Sequence, residues 1–184
     1  MKTVAMTYRD MQDFPLKWRF TDPKFRVLPA EHLLQVRVLD VPSARRLSRF
    51  ISDSGLHSED PFQPNFFRSV ESTEIGDSHG NDAEDSRIRK WLYRCALPFD
   101  QTVLLQWQPE WAVETTWKLL VKYWTDFYYP ISDDLTVCDF SLQWALLFHH
   151  EHEIHFGTNR PRANEGEGAA GQPPGLSTFF HALL

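Results

Sequence analysis

The chain is poor in the raw materials of several familiar site types. It has two cysteines, Cys95 and Cys138, each set among apolar neighbours. A disulfide framework is therefore excluded, and a pair of buried, reduced thiols is expected. The eight glycines fall mostly near residues 76–80 and in the C-terminal stretch. They leave no glycine-rich phosphate loop, and no G-x-S-x-G elbow occurs, which argues against nucleotide enzymes and serine hydrolases. No run approaches the roughly 18 uncharged apolar residues of a membrane span. The opening MKTVAMTYRDMQDF lacks the apolar core of a secretory signal. A cytoplasmic protein with no membrane contact is the expectation.

An excess of basic charge is also missing. Asp and Glu outnumber Lys and Arg by 25 to 19, a formal charge of -6. The acids are not spread evenly: Glu71, Glu74, Asp77, Asp82, Glu84 and Asp85 lie in one stretch without Lys or Arg. With that stretch set aside the chain is balanced, so it carries no nucleic-acid footprint and no such partner is expected. The acidic segment holds a single large apolar residue, Ile75. That is too little burial to offset the entropy of ordering it, and a mobile loop over about residues 71–86 is predicted. The basic run Arg87, Arg89, Lys90 and Arg94 reads as a solvated helix face.

Aromatic residues are abundant at 14%, and six of the seven tryptophans lie between Trp91 and Trp144. A chain of 184 residues with 42% hydrophobic content suits one globular domain. Pro15, Pro23 and Pro29 limit the N-terminal part to short elements. LPAEHLLQV and VPSARRLSRFIS read as helices, the second with Pro42 at its start. FFRSV reads as a short strand, and AEDSRIRKWLYRCA as a helix ended before Pro98. TVLLQWQPEWAV reads as a strand broken at Pro109.

From Thr115 or Thr116, either able to cap a start, Trp117, Leu120, Val121, Trp124, Phe127 and Tyr128 recur on one helix face up to Pro130. LTVCDF, WALLFHH and EIHFG then form three strands in an antiparallel meander. The predicted fold class is α+β: an antiparallel sheet whose C-terminal three-strand meander packs on a Trp-rich helix, with further short helices. The domain should run over residues 1–158. A tail rich in Pro, Gly and polar residues, expected to be disordered, follows over 159–184.

Two clusters invite chemistry. His149, His150, His152 and His155 sit with Glu151 and Glu153, and imidazole with carboxylate suits zinc or iron. The H-E-x-x-H spacing fails, because Ile154 and Phe156 stand where a second histidine is required. Strand alternation would also set His149 and His150 on opposite faces and turn His155 away from Ile154 and Phe156. A solvated hairpin tip is the simpler reading. If a divalent metal binds, His150, Glu151 and His152 are its candidate ligands; otherwise no cofactor is expected. The second cluster is Asp133 and Asp134, which could bind a cation but also suit a turn. Of the two, Asp134 is favoured for function. Tyr129 and Trp111 complete a candidate binding set with them, since Trp and Tyr dominate interface hot spots.

The run WAVETTWKLLVKYWTDFYYPISDDLTVCD, closed by WALLFHHEHEIHFG, resembles a family of bacterial cytosolic proteins, domain of unknown function 2947. The shared pattern is Tyr-Pro, Ser-Asp-Asp, a strand, a Trp-containing strand, then His-Glu before Phe-Gly. It spans residues 14–158 and leaves out the tail. The resemblance implies a compact α+β fold and supplies no activity, cofactor or catalytic residue. By analogy such domains include toxin-binding immunity proteins. The expected function is a protein-binding module of immunity or regulatory type, monomeric or homodimeric, rather than an enzyme. Its partner would be another protein, met near the helix-to-meander junction. The alternative is a metal-assisted hydrolase built on His150, Glu151 and His152 with Asp134.

Overall fold

Both faces of the predicted meander carry apolar residues, which is possible only if the sheet is covered on both sides. The computed structural model, which describes residues 5–76, 81–130 and 132–161, has that architecture. In chain order, a 3-10 turn at Met11–Asp13 leads to α1 (Trp18–Thr21), β1 (Arg26–Val27), α2 (Ala30–Leu33), β2 (Arg37–Val38) and α3 (Val41–Ser54). Then come β3 (Ser69–Glu74), α4 (Asp82–Arg94), β4 (Thr102–Gln108), β5 (Trp111–Thr116), α5 (Trp117–Lys122) and α6 (Trp124–Phe127). The meander closes the chain as β6 (Leu135–Cys138), β7 (Trp144–His149) and β8 (Glu153–Thr158). The α+β class is as expected, with seven strands in the order β2-β5-β4-β6-β7-β8-β3 and every pairing antiparallel.

Residue alternation divides the interior in two. Val103, Leu105, Val113, Leu135, Val137, Trp144, Leu146, Phe148, Ile154 and Phe156 join one core with Ile88 and Trp91 of α4, Trp117 of α5 and Trp124 and Phe127 of α6. Trp117 meets Trp144 edge-on at 6.1 Å, and Trp124 stacks on Phe148 at 6.5 Å. These tryptophans are fully buried. Each ring contributes on the order of 5 kcal/mol, taking roughly 200 Å² at about 25 cal/mol per Å², as an upper figure. On the opposite face Leu104, Ala112, Cys138, Ala145 and Leu147 pack on Ala44, Leu47 and Ile51 of α3 and on Leu56, Phe62 and Phe67 of the loop that follows.

Capping fixes the helix ends. Asp40 accepts from the Ser43 amide at 2.8 Å to start α3, and Gly55 at φ 74° ends it. Thr116 is the cap of α5, accepting from Leu119 N at 3.3 Å. The long helix expected from Trp117 to Tyr128 is instead α5 and α6, because Tyr123, at φ -121°, leaves helical geometry between them. Both halves keep their aromatic residues on the sheet, Trp117 against Trp144 and Trp124 against Phe148. TVLLQWQPEWAV is a hairpin, β4 to β5, with Pro109 and Glu110 at its turn. The strand expected at FFRSV starts only at Ser69, since Phe67 is needed in the core, where its ring lies on Gly157.

The acidic stretch read as a mobile loop over residues 71–86 is a correction. β3 pairs with β8 at all six of its positions through Glu74, and α4 begins at Asp82. Backbone pairing supplies what apolar burial does not. Ile75 is buried with its amide on the His152 carbonyl at 2.6 Å. Glu84 accepts from Gly76 N at 2.7 Å and from Arg87, which also donates to Thr73 Oγ1 and the Glu74 carbonyl. These hydrogen bonds, from Arg87 foremost, hold the Glu84 carboxyl down at about 2. Residues 77–80 of the predicted loop lie outside the described residues, as do 162–184 of the predicted tail. Asn159, expected to begin that tail, is tied down: its amide donates to Gln143 O at 2.8 Å, and its side chain bonds Arg68 N and Phe66 O.

Candidate functional site

One end of the sheet gathers the β4–β5 turn, the start of β6, the β7–β8 turn and the end of β3. All the residues singled out in the sequence lie at this end. They divide between its two faces.

On the tryptophan face, Asp133 and Asp134 point apart. Asp133 is buried and takes a two-pronged ion pair from Arg19, itself 3% exposed, at 2.5 and 3.1 Å. Asp133 also accepts from the Tyr129 amide at 2.9 Å. The Arg19 guanidinium lies over the Tyr129 ring at 4.4 Å. Trp18 meets Tyr129 edge-on at 5.4 Å and carries Phe25 at 4.4 Å. Phe25 stands at the tip of the hairpin formed by the Thr21–Val27 and Asp22–Arg26 bridges, where Asp22 bonds the Lys24 and Phe25 amides through its side chain and backbone. Trp111 lies at the same sheet end on β5, packed against the core beside Val113.

On the α3 face, Asp134 turns to the meander tip. Its Oδ1 accepts from His150 N at 3.0 Å and from His150 Nδ1 at 2.9 Å. Burial pushes the Asp134 carboxyl up, but these bonds and the His150 charge outweigh it and hold the group below its ordinary value. The same contact, led by the Asp134 hydrogen bond, raises His150. His149 ends β7 on the face it shares with Leu147 and His155, and its ring centroid is 4.2 Å from that of His150. Alternation fails to separate these two histidines because the strand ends between them. His155 does point away from Ile154 and Phe156: its ring lies 6.3 Å from His149, and its Nε2 is 2.9 Å from Glu153 Oε2.

The loop after α3 adds His57 and Asp60, which the sequence reading did not single out. His57 Nε2 bonds Thr136 Oγ1 at 2.9 Å, its Nδ1 lies 2.7 Å from Pro61 O, and its ring stacks on Phe62. Burial lowers its pKa, against the Pro61 hydrogen bond and the nearby Asp60 and Asp134 charges, as desolvation lowers that of His155. The only local signal for this loop is its mixture of His, Asp and Pro.

Of the proposed ligands His150, Glu151 and His152, only the first two stay at the tip's open side. Glu151 is exposed, with Oε2 4.0 Å from His149 Nδ1. His152 adopts φ 64°, and its carbonyl turns to Ile75. Among the described residues, the group whose ligand atoms all fall within 4.8 Å of one another is Asp134, His149 and His150. No helix among the described residues is long and apolar enough to cross a membrane. No family model, curated protein or solved structure matches the chain.

Proposed function

We propose that the protein is a recognition module that binds another protein through the aromatic surface at the helix-to-meander junction. Phe25 carries this reading: it is 52% exposed on a hairpin tip, yet its ring is seated on Trp18 and faces Tyr129. An exposed aromatic held in place loses little conformational freedom when a partner covers it, which is what an interface anchor requires. The buried Arg19 to Asp133 pair behind Tyr129 stiffens the platform. The surroundings are polar, with Asp22, Lys24 and Arg26 beside Phe25. On this reading the protein acts in the cytoplasm as a monomer or homodimer, in a regulatory or immunity role. Trp111 lies at the same end of the sheet and would border the contact, whereas Asp134, turned to the other face, stands outside it.

The test is affinity capture from extract of the source organism with wild-type protein and with Phe25→Asp, followed by crosslink mapping. A partner retained by the wild type, crosslinked next to Phe25 and Tyr129, and lost from the folded variant is expected. Equal capture by both, or crosslinks confined to another face, would overturn the reading.

A further inference from the structure

The geometry points to a binding site for a first-row divalent transition metal at the meander tip, formed by Asp134, His149 and His150. It stands independently of the recognition surface, which lies on the opposite face of the sheet. Asp134 precedes β6, His149 ends β7 and His150 opens the β7–β8 turn, so pairing of β6 with β7 brings the three together from two segments. One ligand atom from each lies within 4.8 Å of the others. In a tetrahedral site with bonds of about 2.1 Å, ligand atoms are about 3.4 Å apart, so a contraction of up to roughly 1.4 Å is needed. His150 and Asp134 can supply it: their side chains are 48% and 55% exposed, and turning them exchanges their mutual 2.9 Å hydrogen bond for bonds to the ion.

His149 is the fixed member. Its side chain is 12% exposed, and its carbonyl is held by the Tyr128 hydroxyl at 2.6 Å. The two ring nitrogens face different surroundings. Nδ1 lies on the side of the tip, where it accepts a long hydrogen bond from the Glu151 amide at 3.3 Å, which an ion would displace, and where the Glu151 carboxylate lies at 4.0 Å. Nε2 faces Asp60 Oδ2 at 3.6 Å. An ion on Nδ1 would leave the proton on Nε2 facing the Asp60 carboxylate, which would have to close from 3.6 Å to make the hydrogen bond that orients metal-bound histidines and raises their basicity. His150 occupies only Oδ1 of Asp134, so Oδ2 remains for the ion. Glu151, exposed on the turn, is placed to close a fourth position. Two imidazoles and a carboxylate select zinc, iron(II), cobalt or nickel over magnesium and calcium, which demand oxygen ligands.

Zinc titrated into untagged protein against a metallochromic chelator tests the site, with cobalt absorption as a second readout. One equivalent should bind and resist a large excess of magnesium. Asp134→Asn keeps an oxygen for the His150 amide, so it should fold normally and weaken zinc at least about tenfold, as should His150→Ala. His152→Ala should leave affinity unchanged. If His149→Ala fails to fold, the other two variants decide. Absence of stoichiometric zinc, or binding that survives Asp134→Asn and His150→Ala, or binding lost with His152→Ala, would overturn the proposal.

Discussion

At the scale of single residues, the Arg19 to Asp133 pair governs one side of the candidate surface. Taking two charges out of water costs several kcal/mol each, and only close geometry with further hydrogen bonds offsets that. Both conditions are met: the pair is two-pronged, Arg19 also donates to the Phe127 carbonyl, and Asp133 accepts from Tyr129 N and Ser132 Oγ. Removing one partner strands the other. Arg19→Met should therefore destabilise the fold by about 3 kcal/mol or more in urea unfolding at neutral pH. Adding Asp133→Asn to it should recover part of the loss, because no buried charge is then left alone. A single-variant cost under about 1 kcal/mol would show that the pair anchors nothing. The sequence pointed to Asp133 as a turn former, which its bond to Tyr129 N satisfies. Its ion pair was not legible, because Arg19 is 114 residues away and sits in a segment that reads only as short and proline-broken.

At the scale of elements, helix ends follow local rules closely enough to be edited. α4 stops at Arg94, with Cys95 as its cap and Ala96 at φ 56°, the left-handed region that glycine favours. The Ala96 amide bonds the Tyr93 carbonyl at 3.1 Å, and Leu97 enters the same core as Leu92. This is the left-handed helix stop with alanine in glycine's place. Ala96→Gly should stabilise the protein by about 0.5–1 kcal/mol in chemical denaturation, with the helix content unchanged by circular dichroism. No gain, or a loss, would mean that the alanine methyl makes contacts worth more than the strain. Elements marked by such local signals, α3, α4 and the three meander strands, were legible in the sequence. β3 was legible only where the FFRSV strand reaches it, at Ser69 and Val70: the rest buries little and is held by pairing with β8, a partner about 85 residues away. The break at Tyr123 has no glycine or proline to announce it. The convergence of His149 with His150 was also hidden, because it depends on where β7 stops, which alternation alone does not reveal.

At the scale of the molecule, a sheet buried on both faces must be closed by polar layers at its margins, and the margins carry the titrating groups. The outer strand β3, with Glu71 and Glu74, presents charge at the sheet edge, which discourages strand addition by another chain. Under the tryptophan face, Asp126 of α6 is nearly buried, with Arg26 Nε at 3.0 Å. Burial pushes its carboxyl up to about 6; Arg26 and Arg89 oppose the shift, and Asp85 of α4 adds to it. Tyr129, on the recognition surface, feels the same carboxylate, and its hydroxyl is raised first by burial and in part by Asp126.

The sign of the stability effect follows from the direction. The folded state holds the Asp126 proton more tightly than the unfolded chain, so this contribution is complete below the ordinary value of 3.8 and is lost as pH rises through about 6. The difference corresponds to about 3 kcal/mol. Asp126→Asn keeps the shape and cannot ionise. Its stability relative to wild type should therefore climb between pH 4 and pH 7 by an amount on the order of 1–3 kcal/mol, then level off. Urea unfolding of both proteins at several pH values measures the difference directly. A gap between them that stays constant over that interval, or that narrows with rising pH, would show that Arg26 already compensates the buried carboxylate in full.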